Sequence, residues 1–355
     1  MTIDEKYMSR CLQLAAKGVG CVAPNPMVGA VIVENGEIIG EGFHRKYGEA
    51  HAEVNAINSV KDRERLKSAT IYVSLEPCAH YGKTPPCAEL IVRSGIPNVV
   101  MAMTDPNPSV AGRGIEILKS AGVNVVTDVL RDEAVELNRV FVTNQVYKRP
   151  YVVLKWAQSA DGFMDEARAV GDGKRAVVFS NDVTSVFVHK LRTEIQGIMV
   201  GTNTALLDNP KLSARSWFGK NPVRVVLDRS GRLNNKLSLF DGSVRTIVIT
   251  ELEKYHISGA NVEPHTIDFT QDVPKQILGV LYNNNVYSVM IEGGASLLNS
   301  FIDANCWDEA FVEVSSKKIG SGLMAPSIDR FESVSKCIKS SVRHHLKNKT
   351  TQNII

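Results

Sequence analysis

Gly48-Glu49-Ala50-His51-Ala52-Glu53 and, further on, Glu76-Pro77-Cys78-Ala79-His80-Tyr81-Gly82-Lys83-Thr84-Pro85-Pro86-Cys87 are the stretches on which the reading of this chain turns. His51 sits at the opening of a helix that apolar spacing extends over 50–60. Cys78 lies just past a buried strand at 70–75. Cys87 opens a helix over 86–94 that begins at Pro86 and is stopped by Gly95. A histidine and two cysteines on two helix starts and a strand end can converge at the carboxyl edge of one sheet. Three protein ligands leave the fourth tetrahedral position of a zinc ion open, which is the catalytic rather than the structural arrangement. The positive ends of the helices favour thiolate over thiol.

Glu53, two residues from His51, cannot easily bind the same ion. Its natural work is to carry protons from water to a ring nitrogen and then to departing ammonia, while zinc brings the pKa of water down to about 7. This H-x-E plus P-C pattern and this division of labour describe the zinc deaminases. A His-x-Glu alone would be weak, and unrelated core residues would be the simpler reading. Here the downstream Pro77-Cys78, the second cysteine at a helix start and the strand–helix context carry it. One departure stands out: zinc deaminases commonly show P-C-x-x-C, whereas eight residues separate Cys78 from Cys87.

Outward from this core, 355 residues exceed one ordinary domain. A hydrophobic content of 44% with 22% charge supplies ample core. Lys plus Arg number 41 against 38 Asp plus Glu, a balance without the one-sided basic footprint of a nucleic-acid binder. The short basic run 343–349 reads as a solvated end. No apolar run approaches the length of a membrane span, and Met1-Thr2-Ile3-Asp4-Glu5-Lys6 lacks the layout of a secretory signal. Six cysteines in so long a chain are no disulfide framework; Cys11, Cys21, Cys306 and Cys337 read as reduced thiols, and the expected compartment is the cytoplasm.

Thr2 and Glu5 form a capping box before a helical pattern that ends at Gly18 and Gly20. Runs at 27–33 and 37–43 flank Asn35-Gly36, a strong hairpin signal. Strands at 98–103 and 123–126 then alternate with a helix at 114–121, which argues a sheet between helix layers. The pattern pauses at 145–150, with Lys148-Arg149-Pro150 as a short linker. A second alternating series follows, with strands at 151–156, 197–200, 223–227, 246–250, 286–291 and 309–314. Its helices fall at 181–193, opened by Ser180, and at 273–282 and 295–304. Two α/β domains, 1–146 and 147–355, are expected.

Together with the stretches quoted above, Ala23-Pro24-Asn25-Pro26-Met27-Val28-Gly29 resembles the bifunctional deaminase–reductase family of riboflavin biosynthesis, which carries the same long cysteine spacer. The resemblance runs through the second half, from Lys155-Trp156-Ala157-Gln158-Ser159-Ala160-Asp161-Gly162 through Leu207-Asp208-Asn209-Pro210-Lys211-Leu212-Ser213-Ala214-Arg215 to Ile291-Glu292-Gly293-Gly294-Ala295-Ser296. It implies an N-terminal three-layer domain similar to cytidine deaminase and a C-terminal domain similar to dihydrofolate reductase. It also implies zinc, NADPH, a phosphoribosyl pyrimidine substrate, and a homo-oligomer.

For the deaminase substrate, Asn25 offers an amide to a pyrimidine edge, although it would also serve as a turn residue between two prolines. His44, His80 and Lys83 suit a ribose phosphate, against a plain surface reading. In the second half, Gly293-Gly294 at a strand-to-helix turn reads equally as a diphosphate cradle or a tight packing turn. The resemblance assigns Gly294, Ala295, Ser296, Leu297, Leu298, Asn299 and Ser300 to NADPH, with Ala157, Thr204 and Asp208. It assigns Arg192, Leu212, Arg215 and Glu292 to the sugar substrate, and a guanidinium can grip two phosphate oxygens at once. Lys155 could act on the reacting carbon or merely pair with Asp161. The family's serine and aromatic are replaced by Ala176 and Val178, so Lys174 or Arg175 would have to rebuild that pocket.

Two rivals make distinct demands. A nucleic-acid or nucleoside deaminase with an interaction domain would need basic or aromatic grooves near the metal. A purely structural zinc module would need a fourth protein ligand, for which His80 is the local candidate.

Overall fold

The computed structural model describes residues 1–81, 85–329 and 331–348. The chain divides into two compact units, Met1–Lys148 and Arg149–Ile355. In the first, α1 (Ile3–Ala15) starts from Thr2, whose hydroxyl accepts from the Glu5 amide while the Glu5 carboxylate accepts from the Thr2 amide. There follow β1 (Gly29–Glu34), β2 (Glu37–Phe43), α2 (Ala52–Ser59), β3 (Thr70–Val73), α3 (Cys87–Arg93), β4 (Asn98–Met101), α4 (Arg113–Ser120), β5 (Asn124–Val126), α5 (Arg131–Leu137) and α6 (Arg139–Tyr147). Asn35 and Gly36 take φ of 50° and 81°, as the two-residue hairpin turn requires.

The strands form one sheet in the order β2-β1-β3-β4-β5, antiparallel up to β3 and parallel beyond it. Gly29 pairs with Phe43 and Gly42 with Ala30, so the two glycines look to opposite faces. A Cβ on Gly29 would stand 2.1 Å from the Cys11 carbonyl oxygen on α1, and one on Gly42 would stand 2.3 Å from the Ala56 nitrogen on α2. Helices α1 and α2 therefore cover opposite faces, which gives the three layers expected. Met8, Ile32, Ile71, Ile91, Met101 and Leu118 fill the space between them.

The helices α5 and α6 escaped the sequence reading. The first buries only Ala134, and the second buries the consecutive Val142, Thr143 and Asn144, so neither shows an apolar stripe.

The second unit runs β6 (Tyr151–Gln158), β7 (Phe163–Asp165), α7 (Asp182–Glu194), β8 (Gly197–Gly201), α8 (Thr202–Asp208), β9 (Val223–Leu227), β10 (Thr246–Thr250), β11 (Val262–Thr266), α9 (Val273–Asn283), β12 (Ser288–Glu292), α10 (Ala295–Asp303), β13 (Glu309–Ser315), β14 (Leu323–Met324), β15 (Phe331–Ile338) and β16 (Ser341–Asn348). The sheet order is β11-β10-β9-β8-β12-β6-β13-β16-β15. It is parallel from β11 to β13, and β16 and β15 continue it antiparallel. The central strands are continuous apolar runs buried on both faces, as parallel strands require.

Two local expectations change. Helix α7 is capped by Asn181, which accepts from the Val183 and Thr184 amides, while the Ser180 hydroxyl donates to Glu313. The basic run expected as a solvated end is, over 343–348, part of β16 between β13 and β15. Its basic side chains find partners in the sheet and on α7: Arg343 lies 3.7 Å over the Phe187 ring, and His345 stacks on Phe311 and meets Glu309 at 2.6 Å. Among the described residues, no helix is long and apolar enough to cross a membrane.

Candidate active sites

His51 is the residue immediately before α2, Cys78 lies in the turn after β3, and Cys87 is the first residue of α3. These positions bring three ligand atoms within 4.8 Å of one another. Nitrogen and sulfur ligands at about 2.05 and 2.3 Å from one tetrahedral zinc lie about 3.5 Å apart. His51 Nδ1 stands 3.6 Å from Cys78 Sγ and 3.4 Å from Cys87 Sγ, so the donor set fits the ion. Among the described residues the cluster has three members. His80 is exposed and outside it, which removes the fourth ligand that a purely structural zinc would need.

Charge in the cluster is asymmetric. The Cys87 thiol, the His51 ring and the Cys87 amide at 3.3 Å all face Cys78 and hold it as a thiolate, with a pKa lowered to about 4. Cys87, as the donor in that pair and deeply buried, is pushed up. Glu53 lies in the first turn of α2 with 3% of its surface exposed, and its carboxylate reaches Cys87. Burial, and then the Cys78 charge, push its pKa up to about 7.

Two of the sequence-predicted substrate residues adjoin this cluster. The Asn25 amide Nδ2 and His44 Nε2 are 3.2 Å apart, and His44 Nδ1 faces the Ala50 carbonyl at 3.1 Å. With Nδ1–H donating to that carbonyl, Nε2 accepts from Asn25, and the Asn25 carboxamide is oriented. His44 is 2% exposed, and its ring meets His51 edge-on at 5.6 Å, so the surface reading does not hold for it. Lys83 lies outside the described residues.

Glu76 is a part of this site that the sequence reading passed over. It is buried, and its carboxylate accepts from the amides of Asp105, Gly112, Gly114 and Ile115. It thereby ties the 105–115 segment beneath Pro77-Cys78. A Cβ on Gly114 would stand 2.1 Å from the Pro77 carbonyl oxygen, so the contact is close-packed. Its position next to Pro77-Cys78 was the available signal.

In the second unit, Gly293 and Gly294 follow β12 with φ of 95° and 81°, and Gly294 precedes α10. No side chain caps the first-turn amides of α10. A Cβ on Gly294 would come 3.4 Å from Thr204 Oγ1, so Thr204 borders the glycine turn. Free amides, a hydroxyl and backbone without Cβ atoms suit a diphosphate. Ser296 and Asn299 are exposed, whereas Ala295, Leu297 and Leu298 are buried, Leu297 and Leu298 in the core, and offer a ligand only main chain. The Ser300 hydroxyl donates to the Leu297 carbonyl. Ala157 lies near the end of β6. Asp208 ends α8 and accepts from Arg168 at 2.7 Å.

Arg192, in the last turn of α7, grips both oxygens of Glu292 at 3.3 and 2.6 Å and donates to the Ser213 carbonyl. Burial works against the Glu292 charge, yet Arg192 and Lys155 hold its pKa below the usual range. Lys155 is thus a neighbour of Glu292, its register partner in the sheet. Asp161, its suggested alternative partner, instead accepts from the Ile319 and Gly320 amides. Leu212 is buried with φ of 51°, a strained conformation in a segment held where Arg224 donates to the Lys211 carbonyl. Arg215 is exposed. Ala176 and Val178 lie on an exposed segment, where the Lys174 ammonium donates to the Ala167 carbonyl.

Comparison with known proteins covers both units. Residues 150–353 match the family of the RibD C-terminal domain, and residues 1–103 match the cytidine and deoxycytidylate deaminase zinc-binding region. The riboflavin biosynthesis protein RibD of Bacillus amyloliquefaciens is 41% identical over 333 residues, covering 92% of this chain and 88% of that protein. Its Aquifex aeolicus counterpart is 39% identical over 324 residues, covering 90% and 89%. A crystal structure from Thermotoga maritima, described as a diaminohydroxyphosphoribosylaminopyrimidine deaminase/5-amino-6-(5-phosphoribosylamino)uracil reductase, superposes with a TM-score of 0.88 at 39% identity. It covers 98% of this chain and 99% of its own.

Proposed function

The chain belongs to the RibD family of bifunctional deaminase–reductases of riboflavin biosynthesis, and on that premise we propose how its residues divide two successive reactions. The observation that carries the proposal is the open three-membered cluster of His51, Cys78 and Cys87 with Glu53 buried against it. Residues 1–146 deaminate 2,5-diamino-6-ribosylamino-4(3H)-pyrimidinone 5′-phosphate. Residues 147–355 reduce the ribosyl chain of the resulting 5-amino-6-(5-phosphoribosylamino)uracil to ribityl.

In the first reaction His51, Cys78 and Cys87 hold zinc, which when bound supplies the Lewis acidity that brings water toward ionisation at neutral pH. Glu53 takes the proton of the attacking water, passes it to the pyrimidine ring nitrogen, and delivers a proton to the leaving ammonia. Asn25, oriented by His44, binds the pyrimidine edge, and His80 and Lys83 supply polar contacts to the phosphoribosyl arm.

In the second reaction NADPH supplies the hydride. The α10 start, Gly294 to Ser300, with Ala157, Thr204 and Asp208, holds the cofactor. Arg192, Leu212, Arg215 and Glu292 hold the sugar phosphate. The substrate is a small molecule, with no nucleic acid or membrane involved; the enzyme acts as a cytoplasmic homo-oligomer.

The test is a pair of assays on the zinc-loaded full chain: ammonia release from the diaminopyrimidinone, and NADPH oxidation on its deaminated product. Both proceed if the reading holds. Ammonia release without NADPH turnover would overturn the two-step assignment.

A further inference from the structure

Asn138 is the single residue between α5 and α6, and it is 2% exposed. Its main chain belongs to both helices: the N–H donates to the Ala134 carbonyl, and the carbonyl accepts from the Val142 amide. An asparagine in that place ordinarily turns its side chain onto the first amides of the helix it opens. Here it caps nothing. Its carboxamide oxygen instead accepts from the Met27 amide at 2.8 Å, and its Nδ2 donates to the Met27 carbonyl at 2.9 Å, 111 residues away in the chain. One acceptor and one donor thus meet the donor and the acceptor of a single residue, the pairing that a neighbouring strand would give.

Met27 is where the preceding loop can be gripped. Pro24 and Pro26 carry no N–H, so after the Asn25 amide, which donates to the Val22 carbonyl, the next main-chain donor is that of Met27. Pro26 also has a fixed φ, and a fixed Met27 therefore fixes the path of Asn25. The chain beyond is tied by other groups: the His44 amide donates to the Val28 carbonyl, and the Gly29 amide donates to the Ser74 hydroxyl. Asn25 itself is half-buried, and its side chain meets His44. His44 thus sets the direction of the carboxamide, and Asn138 sets the place of the main chain that carries it.

We propose that Asn138 is a positioning residue of the deaminase: through its paired bonds to Met27 it holds the loop 24–27 so that Asn25 meets the pyrimidine edge. Helices α5 and α6, which carry no apolar stripe, thereby gain a role at the substrate site. The proposal rests on the assignment of Asn25 to the pyrimidine made above.

The test is a double-mutant cycle on the zinc-loaded full chain. The readouts are KM and kcat for ammonia release from the diaminopyrimidinone phosphate, and bound zinc by atomic absorption. Asn138→Leu keeps bulk and removes both bonds. It is expected to raise KM about tenfold with kcat changed less than about twofold, because a displaced Asn25 weakens binding in ground and transition state alike. In an Asn25→Ala background the same substitution should change KM less than about twofold, since no carboxamide is left to position. Bound zinc is unchanged in every variant. A residue that merely stabilised the fold would act alike in both backgrounds, so equal KM ratios in the two overturn the proposal. A wild-type KM in Asn138→Leu, or zinc lost from it, overturns the proposal as well. Should the leucine variant not fold, Asn138→Ser replaces it, too short to reach Met27 but open to a water that pairs the freed groups, with the same expectations and the same overturning results. A wild-type chain that releases no ammonia overturns the deaminase reading, an Asn25→Ala chain with wild-type KM overturns the Asn25 assignment, and the proposal falls with either. A raised KM in Asn25→Ala beside a wild-type KM in Asn138→Leu overturns the proposal alone.

Discussion

In the first unit, His51, Cys78 and Cys87 crowd ligand atoms within 4.8 Å of one another, and the acid that reaches Cys87, Glu53, is buried without a cationic side chain in its hydrogen bonds. In the second unit the opposite holds. Arg192 already grips Glu292, and Arg168 already grips Asp208, before any ligand is considered. The first site is a set of electron-pair donors that share protons among themselves where a divalent cation would bind. The second is a set of opposite charges neutralised in pairs, which a substrate must share or exchange. Function should therefore concentrate in single residues in the first unit and spread over partners in the second.

The largest expected effect tests that concentration. Glu53→Gln keeps the shape and removes the proton carrier, so ammonia release should fall by roughly 10²–10⁴-fold. NADPH oxidation on the deaminated substrate should stay unchanged, as should bound zinc measured by atomic absorption. Ammonia release at the wild-type rate would end the proton-shuttle assignment.

Next comes Glu76→Gln. The carboxylate accepts from four amides with two oxygens; an amide keeps one acceptor and turns an NH2 against two N–H groups. The first unit should lose about 3 kcal/mol, which corresponds to about 10 °C in its thermal transition. Gly114→Ala, pressed on the Pro77 carbonyl, should act in the same direction. An unshifted transition in both variants would show that the 105–115 segment does not brace Pro77-Cys78.

Arg192→Ala probes the paired charges through pH. Glu292 has its pKa held below the ordinary 4.5 by Arg192 and Lys155 despite burial. A depressed carboxylate contributes stability that is present above pH 4.5 and is lost as pH falls through the lowered value. Wild-type chain should thus weaken on that acid side, and the alanine variant should be less stable at neutral pH with a flatter acid limb. Melting curves from pH 7 down to 3 measure both. Parallel curves would mean that the pair contributes nothing to folding.

How much of this was legible follows the same division. Zinc-site residues sit in two short stretches, and their types alone limit the chemistry, so His51, Glu53, Cys78 and Cys87 could be read in order along the chain. The hairpin at Asn35-Gly36 and the capping box at Thr2 were legible for the same reason, since each is decided within four residues. Glu76 was not, because its partners lie 29 to 39 residues away. Neither was the Lys155–Glu292 proximity, which exists only through parallel pairing of β6 with β12. The basic run 343–348 misled because charge was read without its cross-strand partners on β13.

The smallest predicted effect is the one that bears most directly on the second half of the comparison. Arg168 is 6% exposed in its side chain and lies between Asp165 and Asp208, while Asp208 is one-third exposed. If Asp208 stands beside NADPH, its charge faces an anionic cofactor, and Arg168 is what makes that tolerable. Arg168→Ala would leave Asp208 unneutralised and weaken NADPH binding about two- to fivefold, the scale of a partly exposed charge pair. The loss should shrink as salt rises from 50 to 500 mM, because screening replaces the missing cation. Restoring neutrality with Arg168→Ala plus Asp208→Asn should bring the affinity back. Fluorescence titration of NADPH across that salt series decides it. An unchanged affinity in Arg168→Ala at low salt would place the cofactor away from Asp208, leaving Arg168 a brace of its own segment and the glycine turn at α10, with Thr204, to anchor the diphosphate.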